Sequence, residues 1–121
     1  MPSSDPIQRF EDIRDNIARI EKFTSGMDLQ AFSANEETIY AVKHALLIIG
    51  EAAAKLGNLA PHLRPEIEWR DIRSLSNRLR HDYDNINAVL IWRIVERDLS
   101  PLKTAVEAAL QQLRDKDDGS L

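Results

Sequence analysis

The chain has 121 residues, with 16 Lys and Arg against 20 Asp and Glu, and it contains no cysteine. This length predicts one domain, which we place at residues 5–114, followed by a flexible charged tail at 115–121. The net charge of −4 excludes a strongly basic field over the whole surface, so any nucleic-acid binding must use a local patch. The absence of cysteine excludes a disulfide scaffold, a thiolate zinc site and a cysteine nucleophile.

The N-terminal residues are polar and lack the apolar stretch of a secretory signal. The longest apolar run, at residues 45–49, is far shorter than the roughly 20 residues that span a bilayer. We therefore expect a cytoplasmic protein with no membrane contact.

The first predicted helix begins at Asp5 and Pro6, because Asp is a good N-cap and Pro suits the first helical position. Apolar residues then follow at steps of three and four, which is typical of one helical stripe. This stripe consists of Ile7, Phe10, Ile13, Ile17, Ile20 and Phe23. Residues 24–26 end the helix, and residues 27–34 predict a short helix of one or two turns.

The second long helix is predicted from Asn35, a cap residue, to Leu56, which is followed by the helix-stopping Gly57. Besides its main apolar stripe it carries a second apolar line through Tyr40 and Leu47. A helix that is apolar on two faces must be covered on both. One cover could come from a second subunit.

A loop bounded by Pro61 and Pro65 precedes a third long helix, predicted at about residues 66–82. Turn-forming residues at 83–87 end it, and Asn87 caps the next helix. A bend near Pro101 starts the last helix, whose apolar residues extend to Leu113. No segment alternates in the manner of a strand, so the pattern predicts an all-α fold, an up-and-down bundle of four to five helices.

The polar segment that could carry chemistry lies at residues 70–80, where four arginines and one aspartate give a local charge of +3. On a helix, Arg73, Asn77 and His81 share a face, and Arg78 neighbours His81. RNA cleavage needs a base and an acid, which an imidazole can supply near neutral pH, and cations that stabilise the phosphoryl charge. The alternative is an ordinary solvated face with a dipole-favoured histidine in the last turn. The three histidines are scattered and predict no metal site.

Other candidates have structural explanations. Trp69 and Trp92 fall on apolar stripes and are expected in the core rather than as base-stacking platforms. Glu51 is expected to pair with an arginine of the third long helix, because an unpaired carboxylate among apolar residues is costly. Tyr83 could be a half-buried anchor with a wet hydroxyl, and His62 an ordinary surface residue.

Three segments resemble the HEPN superfamily, and specifically its HepT-like toxins. The first runs from His44 to Ala53 and contains the sequence Ile-Gly-Glu-Ala. The second runs from residue 69 to 83 and contains Asn-Arg-Leu-Arg-His-Asp-Tyr. The third covers residues 89–95 and continues as Asp-Leu-Ser-Pro-Leu at 98–102. Together they span most of residues 5–114 in the expected order.

The resemblance implies a homodimer in which the motif helices of both subunits line one cleft. It also implies a metal-independent endoribonuclease, the toxin of a type VII-like toxin–antitoxin system, that uses no cofactor. Its partner would be a minimal nucleotidyltransferase antitoxin that transfers AMP to a motif tyrosine and so silences the toxin. By position, His81 matches the motif histidine, Tyr83 the tyrosine, and Asn77 the asparagine that commonly follows the motif arginine.

The chain departs from the motif at one place. The motif arginine should stand five residues before His81, where this sequence has Ser76, and serine cannot form a cationic, bidentate phosphate clamp. Arg73 is the expected substitute, with Asn77 and His81 as the other catalytic residues. Arg78 and Arg80 are expected to bind RNA. The competing hypothesis is a non-catalytic helical module that only binds a nucleotidyltransferase, in which Ser76 marks the loss of chemistry.

Overall fold

A computed structural model describes residues 5–117, which form helices and no strands. This confirms the predicted all-α fold. The five long helices are α1 (Pro6–Thr24), α3 (Glu36–Leu56), α5 (Trp69–His81), α6 (Ala88–Arg97) and α7 (Leu99–Asp117). Two five-residue helices, α2 (Leu29–Ser33) and α4 (Leu59–Leu63), and a 3-10 turn (Tyr83–Asn85) complete the described elements. No helix among residues 5–117 is both long and apolar enough to cross a membrane.

Side-chain caps start the helices where the sequence predicts them. Asp5 accepts a hydrogen bond from the backbone N–H of Gln8, and Asn35 and Asn87 cap α3 and α6 in the same way. Each cap satisfies a backbone donor that the first helical turn leaves without an intrahelical partner. Gly57, at φ 57°, ends α3 in a conformation that is strained for residues with a side chain.

Helix α3 lies between α1 and α5, and these three helices hold much of the core. Ala41 and Ala45 of α3 face α1, whereas Lys43 and Gly50 on the opposite side face α5 and the turn after it. On the second apolar line of α3, Leu47 is half-buried within the chain whereas Tyr40 is 60% exposed, so the fold covers this face only in part. Its cover by a second subunit stays a prediction. Both tryptophans are buried, as predicted: Trp69 packs edge-on against Phe10, and Trp92 lies against Phe32.

Two helix boundaries differ from the predictions because a proline in the first turn of a helix does not interrupt that helix. The loop predicted around Pro61 contains α4, in which Pro61 is the third residue. Pro101 is likewise the third residue of α7, which starts at Leu99. First-turn N–H groups have no intrahelical acceptor, so a proline there breaks no hydrogen bond.

Two other helix ends also differ from the predictions. Helix α5 begins at Trp69, three residues later than predicted, after a turn in which the Trp69 indole N–H donates to the carbonyl of Arg64 at 2.8 Å. Helix α7 continues to Asp117, three residues into the segment predicted as a tail. The rest of that segment, residues 118–121, lies outside the described residues.

Candidate active site

One flank of α5 carries the residues singled out for chemistry. Asn77 and His81 are exposed and Arg73 is half-buried, and none of the three has a side-chain partner among residues 5–117. At about 100° per residue, Arg70 and Arg80 fall on the same side of the helix. We call these five residues the basic face: Arg70, Arg73, Asn77, Arg80 and His81. The structure thus brings the three predicted catalytic residues to one surface, with an imidazole at its C-terminal end.

Arg80 is the member of the basic face that has an ionic partner. Its Nη2 lies 3.4 Å from Oε1 of Glu51 on α3, and both side chains are about half exposed. This confirms the expected pairing of Glu51 with an arginine of this helix. A solvated pair of this kind contributes little to stability, so Arg80 can exchange Glu51 for another anion at small cost.

Arg78 does not belong to the basic face. It lies about 140° around the helix axis from Arg73 and about 160° from Arg80. Its side chain lines a groove of about 520 Å³ between α5, α6 and the start of α7, whose floor includes Ile72, Leu75 and other apolar residues. The sequence places Arg78 next to His81 along the helix, but the fold directs it into this groove together with Asp71. Its role as an RNA contact stays a prediction.

The position of the missing motif arginine lies inside the molecule. Ser76 is only 4% exposed and packs against Gly50 where α5 crosses α3. A Cβ built on Gly50 would lie 2.0 Å from the Ser76 Cβ and 3.2 Å from the carbonyl oxygen of Ile72. The crossing therefore needs a small residue on both helices, and it leaves no room for a guanidinium at position 76.

Tyr83 lies in the 3-10 turn that follows His81, and four contacts attach it to α3. Its hydroxyl donates to the backbone carbonyl of Tyr40 at 3.3 Å, and its ring lies 5.2 Å from the Tyr40 ring at an angle of 50°. Lys43 donates to the Tyr83 carbonyl at 2.9 Å, and its ammonium lies 4.6 Å from the centroid of the Tyr83 ring. Tyr83 is half-buried with a hydroxyl near the surface, as its anchor interpretation predicts.

Burial raises the pKa of the Tyr83 phenol, and the nearby Tyr40 and Asp84 raise it further because each adds negative charge when ionised. The hydroxyl therefore stays protonated throughout the neutral range. It cannot act as a nucleophile there unless another group removes its proton.

Sequence reasoning missed Lys43, which is only 6% exposed. A buried ammonium needs acceptors, and here it has a carbonyl and an aromatic face. One signal was available: Lys43 stands on the same side of α3 as Leu47 and Gly50, at helical spacing, where a charge is unexpected. The sequence pattern places Tyr40 on an apolar line, but the residue is 60% exposed.

The histidines do not gather around metal ligands. Across residues 5–117 no group of three or more His, Asp or Glu side chains is arranged to hold a metal ion. His44 lies beside α1 in a shallow depression with Arg19 and Phe23, and His62 is exposed on α4, as predicted. Neither belongs to the basic face.

Comparison with known proteins gives consistent matches. The family model described as ribonuclease HepT-like matches residues 13–109. A Thermococcus cleftensis protein with the name probable ribonuclease HepT is 36% identical over 97 residues, which cover 80% of this chain and 88% of that protein. A protein of Methanocaldococcus jannaschii that carries an RNase name is 35% identical over 96 residues, 79% of this chain and 88% of its own length. A second such protein from that organism is 26% identical over the whole of both chains. No solved structure matches significantly.

Proposed function

Because the chain belongs to the HepT-like ribonuclease family, we propose that it is a metal-independent endoribonuclease whose catalytic residues are His81, Asn77 and Arg73. The observation that carries the proposal is the position of His81. Its imidazole is exposed and without a side-chain partner within residues 5–117, and it ends a helical face that carries three arginines. An RNA phosphate at this face meets both a titratable group and cations.

The chemistry that fits this face is internal transesterification of RNA. The 2′-oxygen attacks the adjacent phosphorus, the new O–P bond forms, and the bond from phosphorus to the 5′-oxygen breaks. A base takes the 2′-hydroxyl proton, an acid protonates the leaving 5′-oxygen, and a neutral or protonated imidazole can serve either role. Arg73 stabilises the charge on the phosphoryl oxygens, and Asn77, one helical turn before His81, orients the phosphate or the imidazole.

Two proton transfers are needed, but the basic face of one chain offers a single imidazole. A homodimer that brings two copies of this face together would supply one His81 as base and the other as acid. It would also double the arginines around the scissile phosphate. We therefore place the RNA in a cleft between two subunits.

We further propose that the protein is the toxin of a type VII-like toxin–antitoxin pair, silenced by a minimal nucleotidyltransferase antitoxin. The transferred group would be AMP from ATP: the Tyr83 phenolic oxygen would form a bond to the α-phosphorus, and the bond from that phosphorus to the leaving pyrophosphate would break. The Tyr83 hydroxyl lies near the surface two residues after His81. Burial raises the pKa of the Tyr83 phenol, so a base has to take its proton during the transfer, and we assign that base to the partner. The added phosphate and nucleoside would repel and displace RNA beside His81.

Ser76 favours a second candidate function. Its burial against Gly50 leaves no room for the arginine that the family motif places there. A chain without that arginine could act as a non-catalytic module that binds the nucleotidyltransferase. The two functions differ in the role of His81: the nuclease needs its imidazole for RNA cleavage, whereas the module has no catalytic use for it.

The test is cleavage of a fluorescent RNA by the purified protein in the presence of EDTA. We expect His81→Ala to lower the rate by about 100-fold or more, the range for loss of a general acid–base group. His62→Ala is the matched control, because it removes an exposed imidazole outside the basic face. Equal rates for wild type and His81→Ala, or cleavage that EDTA abolishes, would refute the metal-independent mechanism. Absence of cleavage combined with tight binding of the partner would support the module.

Modification is tested separately by co-expression with the candidate partner, followed by intact-mass measurement. We expect mass increments of AMP on the wild type and none on Tyr83→Phe. The Tyr40→Phe variant is the control for the neighbouring phenol. Modification that persists in Tyr83→Phe but is lost in Tyr40→Phe would move the site to α3.

A further inference from the structure

The Tyr40 ring is a large exposed aromatic surface beside the proposed catalytic residues. Tyr40 is 60% exposed, the highest value among the exposed large hydrophobic residues of the described chain, which also include Phe23 at 39%. Its ring contacts Tyr83, two residues beyond His81. Exposed aromatic rings next to a cationic face are the usual means by which proteins hold single-stranded nucleic acid.

Contacts with α3 hold the Tyr40 and Tyr83 rings in place. Lys43 holds the turn through the Tyr83 carbonyl and lies over the Tyr83 ring. The Tyr83 hydroxyl binds the carbonyl of Tyr40. The Tyr40 ring therefore rests on a neighbour with few ways to move, and a flat ligand that stacks on it loses little conformational freedom in the protein.

The cations that can bind a phosphate chain lie on the basic face rather than around the ring pair. The basic face of α5 ends at His81, two residues before Tyr83, whose ring contacts that of Tyr40. Exposed acids lie around the pair instead: Glu36 and Glu37 stand one helical turn before Tyr40 on α3, and Asp82 and Asp84 flank Tyr83 in the sequence. An anionic strand can thus place a neutral base on the tyrosine while its phosphates remain on the arginines.

We propose that Tyr40 is a stacking platform for one unpaired nucleobase of the RNA substrate, next to the phosphate bound at His81. The inference rests on the proposed ribonuclease function and names a binding contact for it. Stacking reads no base edge, so this contact selects single-stranded RNA over duplex without selecting a sequence. It binds the substrate and takes no part in proton transfer.

The experiment compares two non-cleavable strands, a 2′-O-methyl oligouridine and the same backbone without bases, by fluorescence anisotropy. We expect the wild type to bind the strand with bases more tightly than the abasic strand. Tyr40→Ala should lower the affinity for the strand with bases by about 5- to 150-fold and leave the affinity for the abasic strand unchanged. Tyr40→Trp should retain the preference. Phe23→Ala is the control, because Phe23 is an exposed aromatic without a ring contact in the described chain.

Four outcomes would overturn the platform. If Tyr40→Ala lowered the affinity for both strands equally, the residue would have a structural role. A change in oligomeric state of Tyr40→Ala in sedimentation would mean that a second subunit covers the ring. If Tyr40→Ala lost affinity for AMP but not for RNA, the ring would be a binding site for a free nucleotide. If Tyr40→Ala has no effect while cleavage still depends on His81, only this inference fails, whereas failure to bind or cleave any RNA removes the proposed function as well.

Discussion

Gly50 of α3 and Ser76 of α5 approach so closely that a methyl group added to Gly50 would overlap the Ser76 side chain, with 2.0 Å between the two Cβ atoms. Nearby, Glu51 pairs with Arg80 across the same two helices. The crossing therefore fixes the distance between α3 and the basic face of α5. Any residue that widens it also displaces the proposed active site.

Replacement of Gly50 by alanine tests this crossing through the sign of its effect. Helix propensity alone predicts that Gly50→Ala stabilises the protein by about 0.5–1 kcal/mol. The overlap with Ser76 predicts instead that the free energy of unfolding falls by about 1–3 kcal/mol, as in other overpacked cores. Urea denaturation measures the difference. An increase in stability would show that the helices do not approach this closely.

The second prediction concerns the motif position itself. Ser76→Arg should not restore a stronger nuclease, because the guanidinium would enter a helix interface that is only 4% exposed. We expect a loss of about 3 kcal/mol or more of unfolding free energy, since an unpaired buried charge adds to the overpacking. The matched control is Ser74→Arg, an exposed site on the same helix, where the change should stay within about 0.5 kcal/mol. A stable Ser76→Arg protein that cleaves RNA faster than wild type would contradict the structure here.

Much of the fold could be predicted because its signals are local. The cap residues Asp5, Asn35 and Asn87 and the apolar periods act within one or two helical turns, so the sequence shows them directly. Helix α4 was missed because Pro61 marks a break in most contexts. Whether a proline stands in a first turn depends on where the helix begins, and neighbouring helices help to set that point.

The candidate site was predictable only along α5. The shared side of Arg73, Asn77 and His81 follows from the helical period. The contact of Lys43 with Tyr83 joins residues 40 positions apart, and no local pattern specifies such a pair. The absence of the motif arginine can be read at Ser76, but the reason for a small residue there becomes visible only when α3 crosses α5 at Gly50.

The pH dependence of stability should include a contribution from Tyr83. Its pKa is raised in the folded protein because burial, Tyr40 and Asp84 disfavour the phenolate. The folded state then holds the phenolic proton more tightly than the unfolded state does. The resulting stability is fully present below the unfolded pKa of tyrosine, about 10, and is lost as the pH rises through the folded pKa.

Denaturation between about pH 8 and pH 11 in wild type and Tyr83→Phe measures this contribution. We expect the unfolding free energy of the wild type to fall more steeply over that range, because phenylalanine has no proton to lose. Tyr40→Phe removes the other tyrosine of the chain and with it one of the groups that raise the Tyr83 pKa, so its slope shows how much of the effect depends on Tyr40. Parallel curves for wild type and Tyr83→Phe would mean that the Tyr83 phenol titrates as it does in the unfolded chain.

The Glu51–Arg80 pair gives a test of where RNA phosphates lie. Because both side chains are about half exposed, Glu51→Gln should change stability by no more than about 1 kcal/mol. A phosphate at Arg80 no longer competes with a carboxylate in this variant, so we expect RNA to bind about two- to fivefold more tightly at low salt. The advantage should shrink as salt is added, since exposed charges are screened.

Glu107→Gln is the matched control for this variant. Glu107 is an exposed acid on α7, and its replacement changes the net charge from −4 by the same single unit. A general effect of net charge would therefore tighten RNA binding equally in both variants, whereas a phosphate beside Arg80 makes Glu51→Gln the tighter binder. Equal affinities of the two variants at low salt would place the RNA away from Arg80 and would confine its contacts to other parts of the basic face.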